Sequence, residues 1–189
     1  MTSTRFNDFV DNLRQVIDEA DGNEQRIRTQ AEPLLRDLVS HDDWLEEKYS
    51  IPHPDYYQQY CLYACPKGKF SVVSFVWGPG QKTPVHDHTV WGIIGMLRGA
   101  EIGERYVQQE DGSLRPEGSE ELRRGMTDYV SPSTGDIHRV SNAYDDRVSI
   151  SIHVYGADIG KVKRHVYVPE TGEVKNFISG YAQLPATLP

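Results

Sequence analysis

Near Tyr56 the chain changes its hydrophobic period, and that change limits the possible folds more than any single residue does. Before it, apolar residues recur at steps of three and four, with Phe6, Phe9, Val10, Leu13, Val16 and Ile17 on one stripe. That is the pattern of an amphipathic helix. Asp21-Gly22-Asn23 interrupts it, and a second stripe follows through Ile27, Ala31, Leu34, Leu35 and Leu38. Pro33 should kink this second helix or mark where one starts. Asp42-Asp43 ahead of Trp44-Leu45 reads as the N-cap of a short third helix. Residues 1–50 are therefore expected to be helical. Beyond Tyr56 the sequence turns to aromatic and β-branched runs: Tyr56 to Tyr63, Phe70 to Trp77, Thr83 to His88, Trp91 to Leu97, Glu101 to Val107, Asp128 to Val130, Val148 to Tyr155 and His165 to Val168. Turn signals such as Lys67-Gly68-Lys69, Gly78-Pro79-Gly80, Asp111-Gly112 and Thr171-Gly172-Glu173 separate them. Many short strands at regular spacing predict an all-β jelly-roll sandwich or barrel over 56–178. One domain of 189 residues accommodates both parts, with the helical segment packed outside the barrel.

Composition removes some classes of function. A net charge of -8 argues against nucleic acid or an anionic membrane as the main partner. No apolar run is long enough to span a bilayer, and the first residues lack the apolar core of a signal peptide. The expected location is the cytoplasm. Cys61 and Cys65 do not form a Cys-x-x-Cys pair, and in a reducing compartment they read as buried thiols. Nothing in the sequence sets the oligomeric state.

The chemistry is concentrated in three histidines. His86 and His88 lie one residue apart in a strand-like run, so both point to one face while Asp87 points to the other. His138 follows fifty residues after His88, within Gly135-Asp136-Ile137-His138-Arg139-Val140. Three imidazoles on neighbouring strands can hold a divalent metal and leave coordination positions open for chemistry. Ser151, His153 and Tyr155 alternate along one strand and face one side, with Ile150, Ile152 and Val154 on the other. Trp77 and Trp91 read as packing residues, Trp91 close to the site. His41, His53 and His165 have no register that suggests a role.

These histidines fall in register with the two cupin motifs. Gly80, His86-Asp87-His88, Gly92 and Gly99 match the first, and Gly125, Pro132, Gly135, His138 and Asn142 match the second, with one extra residue between Gly125 and Pro132. Most cupins carry a glutamate ligand where this chain has Gly92. A cupin without that glutamate resembles the thiol dioxygenases of the cysteine dioxygenase type. The resemblance covers roughly Gln58 to Phe177 and implies a cupin jelly-roll barrel, Fe(II) held by His86, His88 and His138, and a Ser151–His153–Tyr155 relay whose phenol reaches the iron site.

Two departures point to a subclass. Val90-Trp91-Gly92-Ile93 offers no cysteine for the thioether cross-link of animal-type enzymes. The early strand reads Gln58-Gln59-Tyr60-Cys61, without the carboxylate-binding arginine of those enzymes, whereas Arg164 occurs later. This combination looks like the bacterial 3-mercaptopropionate dioxygenases and implies that Arg164 binds the substrate carboxylate, with Gln59 beside it. A planar guanidinium suits that task because it pairs bidentately with a carboxylate. The implied partners are a small thiol carboxylic acid and O2, with 3-mercaptopropionate preferred over L-cysteine. Other three-histidine cupin oxygenations, zinc-hydroxide chemistry and a non-catalytic metal-binding sensor remain alternatives.

Overall fold

The computed structural model describes residues 3–184. Two helices lead, α1 (Thr4–Ala20) and α2 (Glu24–Ser40), and eleven strands follow. These are β1 (Gln58–Ala64), β2 (Ser71–Trp77), β3 (Val85–His86), β4 (Gly92–Arg98), β5 (Ala100–Gln108), β6 (Leu114–Arg123), β7 (Thr127–Val130), β8 (His138–Asn142), β9 (Ser149–Tyr155), β10 (Arg164–Val168) and β11 (Glu173–Phe177). They form a five-stranded sheet in the order β1-β2-β9-β4-β7 and a six-stranded sheet in the order β11-β10-β3-β8-β5-β6. All registered strand pairs are antiparallel. Among the described residues no helix is long and apolar enough to cross a membrane.

The helices attach through the stripes visible in the sequence. Phe6, Phe9, Val10, Leu13 and Ile17 of α1 and Ile27, Ala31, Leu35, Leu38 and Val39 of α2 are buried. They form one apolar cluster with Val72, Val76, Ile93, Leu97, Ile150, Ile152 and Val154 of the five-stranded sheet. Gly95 of β4 is where α2 comes closest: a Cβ there would stand 2.9 Å from Leu35 Cγ and 3.0 Å from Val39 Cγ1. Because β-strand side chains alternate, Ile94 and Met96 of β4 and Ser151, His153 and Tyr155 of β9 are left on the opposite face. That face carries the site.

Some expectations fail for identifiable reasons. Of the two outcomes expected at Pro33, the helix start does not occur, for α2 runs from Glu24 through it to Ser40. Pro33 is exposed, so water can serve the carbonyl its missing N–H leaves free, and burial of Ala31 and Leu35 outweighs the cost. The third helix at Trp44-Leu45 does not form; only a 3-10 turn at Glu47–Tyr49 follows. Its supposed capping carboxylates are used elsewhere: Asp42 accepts from Arg98 Nε at 2.7 Å and Asp43 from Arg5 Nε at 3.0 Å. The strand expected over Thr83 to His88 shrinks to Val85–His86. Cys65 is buried as expected, but Cys61 is only partly so.

Candidate active site

The short strand β3 sits between β10 and β8, with His86 paired to Val166 on one side and to His138 on the other. Directly opposed residues share a face, so the register itself brings His86 against His138. The chain beyond β3 turns at Thr89, whose φ of 59° is strained for a β-branched residue. Asp136 holds that turn: its Oδ2 accepts from His88 N at 3.0 Å and Thr89 N at 2.8 Å. With this anchor His88 joins the other two. The three imidazoles offer ligand nitrogens within 4.8 Å of one another, all of them buried.

Their neighbours fix the tautomers. His86 Nδ1 lies 3.1 Å from Pro84 O and His88 Nδ1 lies 2.8 Å from Asp136 Oδ1. Neither oxygen can donate, so both Nδ1 atoms carry hydrogen and both Nε2 lone pairs remain free. Burial, with the charge of His88 beside it, pushes the His86 pKa down to about 3. Burial also lowers His138 well below its ordinary value. Desolvation raises the Asp136 pKa, but the hydrogen bond and charge of His88 outweigh it and hold the carboxyl below its ordinary value. Imidazoles with a free Nε2, one of them oriented by a carboxylate on its Nδ1, are the arrangement in which histidine binds a metal. The donor set therefore fits a divalent transition metal such as iron. Replacing Asp136 with alanine is expected to weaken metal retention roughly 10–100-fold in chelator competition. Unchanged retention would show that packing alone aligns His88.

Gly92 stands opposite both Tyr155 of β9 and Val130 of β7. A Cβ at this position would fall 2.9 Å from Tyr155 Cδ1 and 3.0 Å from Val130 Cγ2. The tyrosine ring thus fills the space that a side chain at Gly92 would enter, and its centroid lies 5.3 Å from that of His88. Ser151, His153 and Tyr155 form a continuous chain: Ser151 Oγ is 2.8 Å from His153 Nε2, and His153 Nδ1 is 2.8 Å from Tyr155 Oη. Burial raises the Tyr155 pKa and lowers that of His153 well below normal, so the phenol keeps its proton and the imidazole stays neutral.

Arg164 of β10 comes two residues before Val166, the partner of His86, and so shares its face. The residue is 3% exposed; its guanidinium donates from Nη2 to Ser179 Oγ at 2.7 Å and leaves Nε without a partner among the described residues. Burial lowers its pKa from the ordinary value. Gln59 reaches the same serine, its Nε2 lying 3.2 Å from Ser179 Oγ and 3.1 Å from Gly180 O. Phe75 stands between Gln59 and Ser151 in the register of β1, β2 and β9, which aligns this region with the relay.

Seven of the eight candidate residues lie in strands and His88 two residues past His86, beyond β3, arranged as three histidines, a relay, and an Arg164–Ser179–Gln59 group. Three further residues join the site that the sequence does not single out for it: Asp136, Ser179 and Trp77, the last expected only to pack. Asp136 was within reach, since it sits two residues before His138. Trp77 donates from Nε1 to Ser151 Oγ at 3.0 Å, a role that no pattern announces. Trp91, expected beside the site, packs in the helix-facing cluster, its indole where a Cβ on Gly156 would stand. Asp87 faces away from the histidines as expected and accepts from His165 N at 2.8 Å and Tyr167 Oη at 2.9 Å.

Three buried histidines with free ligand nitrogens, set between two antiparallel sheets, define a protein built to bind a metal. The sequence profile of the family cysteine dioxygenase type I matches residues 3–169, and the chain belongs to that family. It is 29% identical over 92 residues to the cysteine dioxygenase type 1 of Danio rerio, covering 47% of this chain and 45% of that protein. The Bos taurus protein of the same name is 26% identical over 114 residues, 59% of this chain and 56% of that one. The chain thus spans about half the length of the curated relatives it matches. Among solved structures, an uncharacterized conserved protein with a double-stranded β-helix domain from Klebsiella pneumoniae superposes with a TM-score of 0.45 at 15% identity, over 72% of this chain and 97% of that one.

Proposed function

We propose that this protein is an Fe(II)-dependent thiol dioxygenase that converts a small thiol carboxylic acid to its sulfinic acid, with 3-mercaptopropionate preferred over L-cysteine. The observation that carries the substrate class is Arg164, a buried guanidinium with no carboxylate partner among the described residues and an unused Nε. A buried charge without a counter-ion is costly, and a substrate carboxylate would supply the missing anion in bidentate geometry. In this reading the two sheets form a cupin jelly-roll barrel with the helices outside it.

His86, His88 and His138 would hold the metal through Nε2 or, for His138, either ring nitrogen. When bound, ferrous ion supplies a Lewis-acidic redox centre at which thiolate sulfur and dioxygen meet. Overall, R–SH and O2 give R–SO2H: sulfur loses four electrons and dioxygen gains them, so no external reductant enters. Arg164 fixes one end of the substrate, and that fixed distance supplies rate through proximity. Ser179 and Gln59 hold the guanidinium in place. Tyr155 offers a phenolic proton to the site, and His153 and Ser151 set its direction. Removing that hydroxyl in Tyr155→Phe is expected to lower turnover roughly 10–100-fold while metal content is unchanged. Full turnover would take the phenol out of the mechanism.

The test of substrate class is oxygen uptake by anaerobically Fe(II)-loaded protein with 3-mercaptopropionate, cysteine and cysteamine in parallel. The proposal expects the fastest uptake with 3-mercaptopropionate and little with cysteamine, which lacks a carboxylate. Equal rates for all three would remove Arg164 from recognition.

A further inference from the structure

Beyond β11 the chain crosses from one sheet to the other. Residues 178–182 leave an edge strand of the six-stranded sheet and reach β1, the edge of the five-stranded one, where Ala182 N donates to Gln59 O at 2.8 Å. That crossing brings the chain against both candidate substrate residues. Arg164 pairs with Phe177, the last residue of β11, and Gln59 lies in β1. Both are buried, whereas Ile178 and Ser179 above them are exposed. Ser179 Oγ accepts from Arg164 Nη2 at 2.7 Å and from Gln59 Nε2 at 3.2 Å, and Gly180 O accepts from Gln59 Nε2 at 3.1 Å. The segment lies beyond residues 3–169, the span matched by the family profile.

Its backbone contributes little to holding it there. Residues 178–182 have no regular secondary structure. Among the described residues their backbone N–H groups make two backbone hydrogen bonds, Gly180 N to Gly160 O at 3.0 Å and Ala182 N to Gln59 O. Segments of this kind open locally at low cost.

Tyr181 is the side chain that fastens the crossing. Its hydroxyl donates to Asp158 Oδ1 at 2.5 Å, and its ring packs against the cluster that contains Phe75, Tyr155 and Ile159. The ring also takes the space beside Gly160, where a Cβ would stand 2.5 Å from Tyr181 Cε2 and 2.6 Å from Cζ. Gly160 is not among the glycines with positive φ, so the close approach of the ring, rather than the backbone, is what calls for glycine there. The seat is anchored independently of the segment it receives. Ser71 of β2 donates from Oγ to Ala157 O at 2.7 Å and accepts from Ile159 N at 3.2 Å, and Lys161 Nζ holds Asp158 Oδ2 at 2.7 Å.

We propose that residues 178–182 form a strap over Arg164 and Gln59 and that Tyr181 is its latch, a positioning residue that acts through Ser179 to hold both side chains ready for a substrate carboxylate. The carboxylate rests on the proposed function; the latch does not. By linkage, a carboxylate that binds better with the strap seated must in turn hold the strap down.

The test is amide hydrogen exchange by NMR on the full-length, metal-free chain, read at Gly180 and Ala182. In wild type both amides should be protected, though less than those of β2 and β9. Tyr181→Phe removes only the bond to Asp158 and should speed their exchange by roughly tenfold or more, as loss of a hydrogen bond to a charged group implies, with β2 and β9 unchanged. Gly160→Ala should act in the same way by displacing the ring, and should add nothing in a Tyr181→Ala background. Unprotected amides in wild type, or exchange that Tyr181→Phe leaves unchanged, would overturn the latch. Faster exchange throughout β2 and β9 would also overturn it, by marking Tyr181 as a general packing residue. If Gly160→Ala does not fold, Tyr181→Phe decides alone. Anaerobic calorimetry on Fe(II)-loaded protein reads the positioning role without turnover: Tyr181→Phe should weaken 3-mercaptopropionate binding about fivefold or more and leave cysteamine binding unchanged. An equal loss for both thiols, or none for either, would overturn that role. Absence of 3-mercaptopropionate binding in wild type would overturn the proposed function instead, and the exchange rates would then decide the latch on their own.

Discussion

Replacing His138 with alanine is expected to yield a folded protein that retains no metal after dialysis and consumes no oxygen with any thiol. The loss should exceed the roughly 10–100-fold that follows from removing an outer-shell partner, because the substitution deletes one of the three candidate ligands. His138 lies on β8 directly opposite His86, and its ring centroid is 4.8 Å from that of His88 and 4.9 Å from that of His86. No other group among the described residues was found with the histidines to take its place, since the metal-competent cluster consists of these three alone. The fold should survive, as His138 belongs to none of the apolar clusters. Elemental analysis and a urea titration separate the two effects: metal is lost while the unfolding midpoint of the metal-free form changes little. Retention of stoichiometric metal by His138→Ala would contradict the assignment.

The second large effect concerns Arg164. Arg164→Met should cut kcat/KM for 3-mercaptopropionate by about 30–1,000-fold, the equivalent of about 2–4 kcal/mol for a buried charged hydrogen-bonding partner. The slow reaction with cysteamine should be unaffected, because that substrate has no anion for Arg164 to bind. Stability should move the other way or not at all. Among the described residues the guanidinium is buried with an unpartnered Nε and no carboxylate partner, and replacing a buried unpaired charge with an apolar side chain of similar length is commonly neutral or stabilising. A residue that impairs catalysis when removed yet costs nothing in folding is acting as a ligand. A parallel loss for cysteamine, or a collapse of the urea midpoint, would instead mark Arg164 as structural.

Much of this could be read from the sequence, and the exceptions have physical causes. The helices were legible because their apolar stripes face the five-stranded sheet, and the central strands because β-branched and aromatic residues fill them. β6 was not, since nearly all its residues are exposed and only Leu122 is buried; backbone pairing with β5 makes it a strand. β11 failed likewise, with four of its five residues exposed. The histidines and the relay were visible because alternation in a strand converts spacing into a shared face. Their helpers were not: Ser179 lies outside any regular element, and the Trp77 indole meets Ser151 only once β2 lies beside β9. Glycine at position 92 carried meaning in the sequence only as a missing ligand; the structure adds that Tyr155 occupies its place.

In the proposed reaction both oxygen atoms of one dioxygen molecule go to the sulfur of a thiol acid. Turnover of 3-mercaptopropionate under 18O2 by the Fe(II)-loaded protein, with mass analysis of the product, tests it most directly. The expected product is a sulfinic acid carrying two 18O atoms, with one O2 consumed per thiol. A product containing oxygen from water, or a disulfide formed with release of hydrogen peroxide, would contradict it.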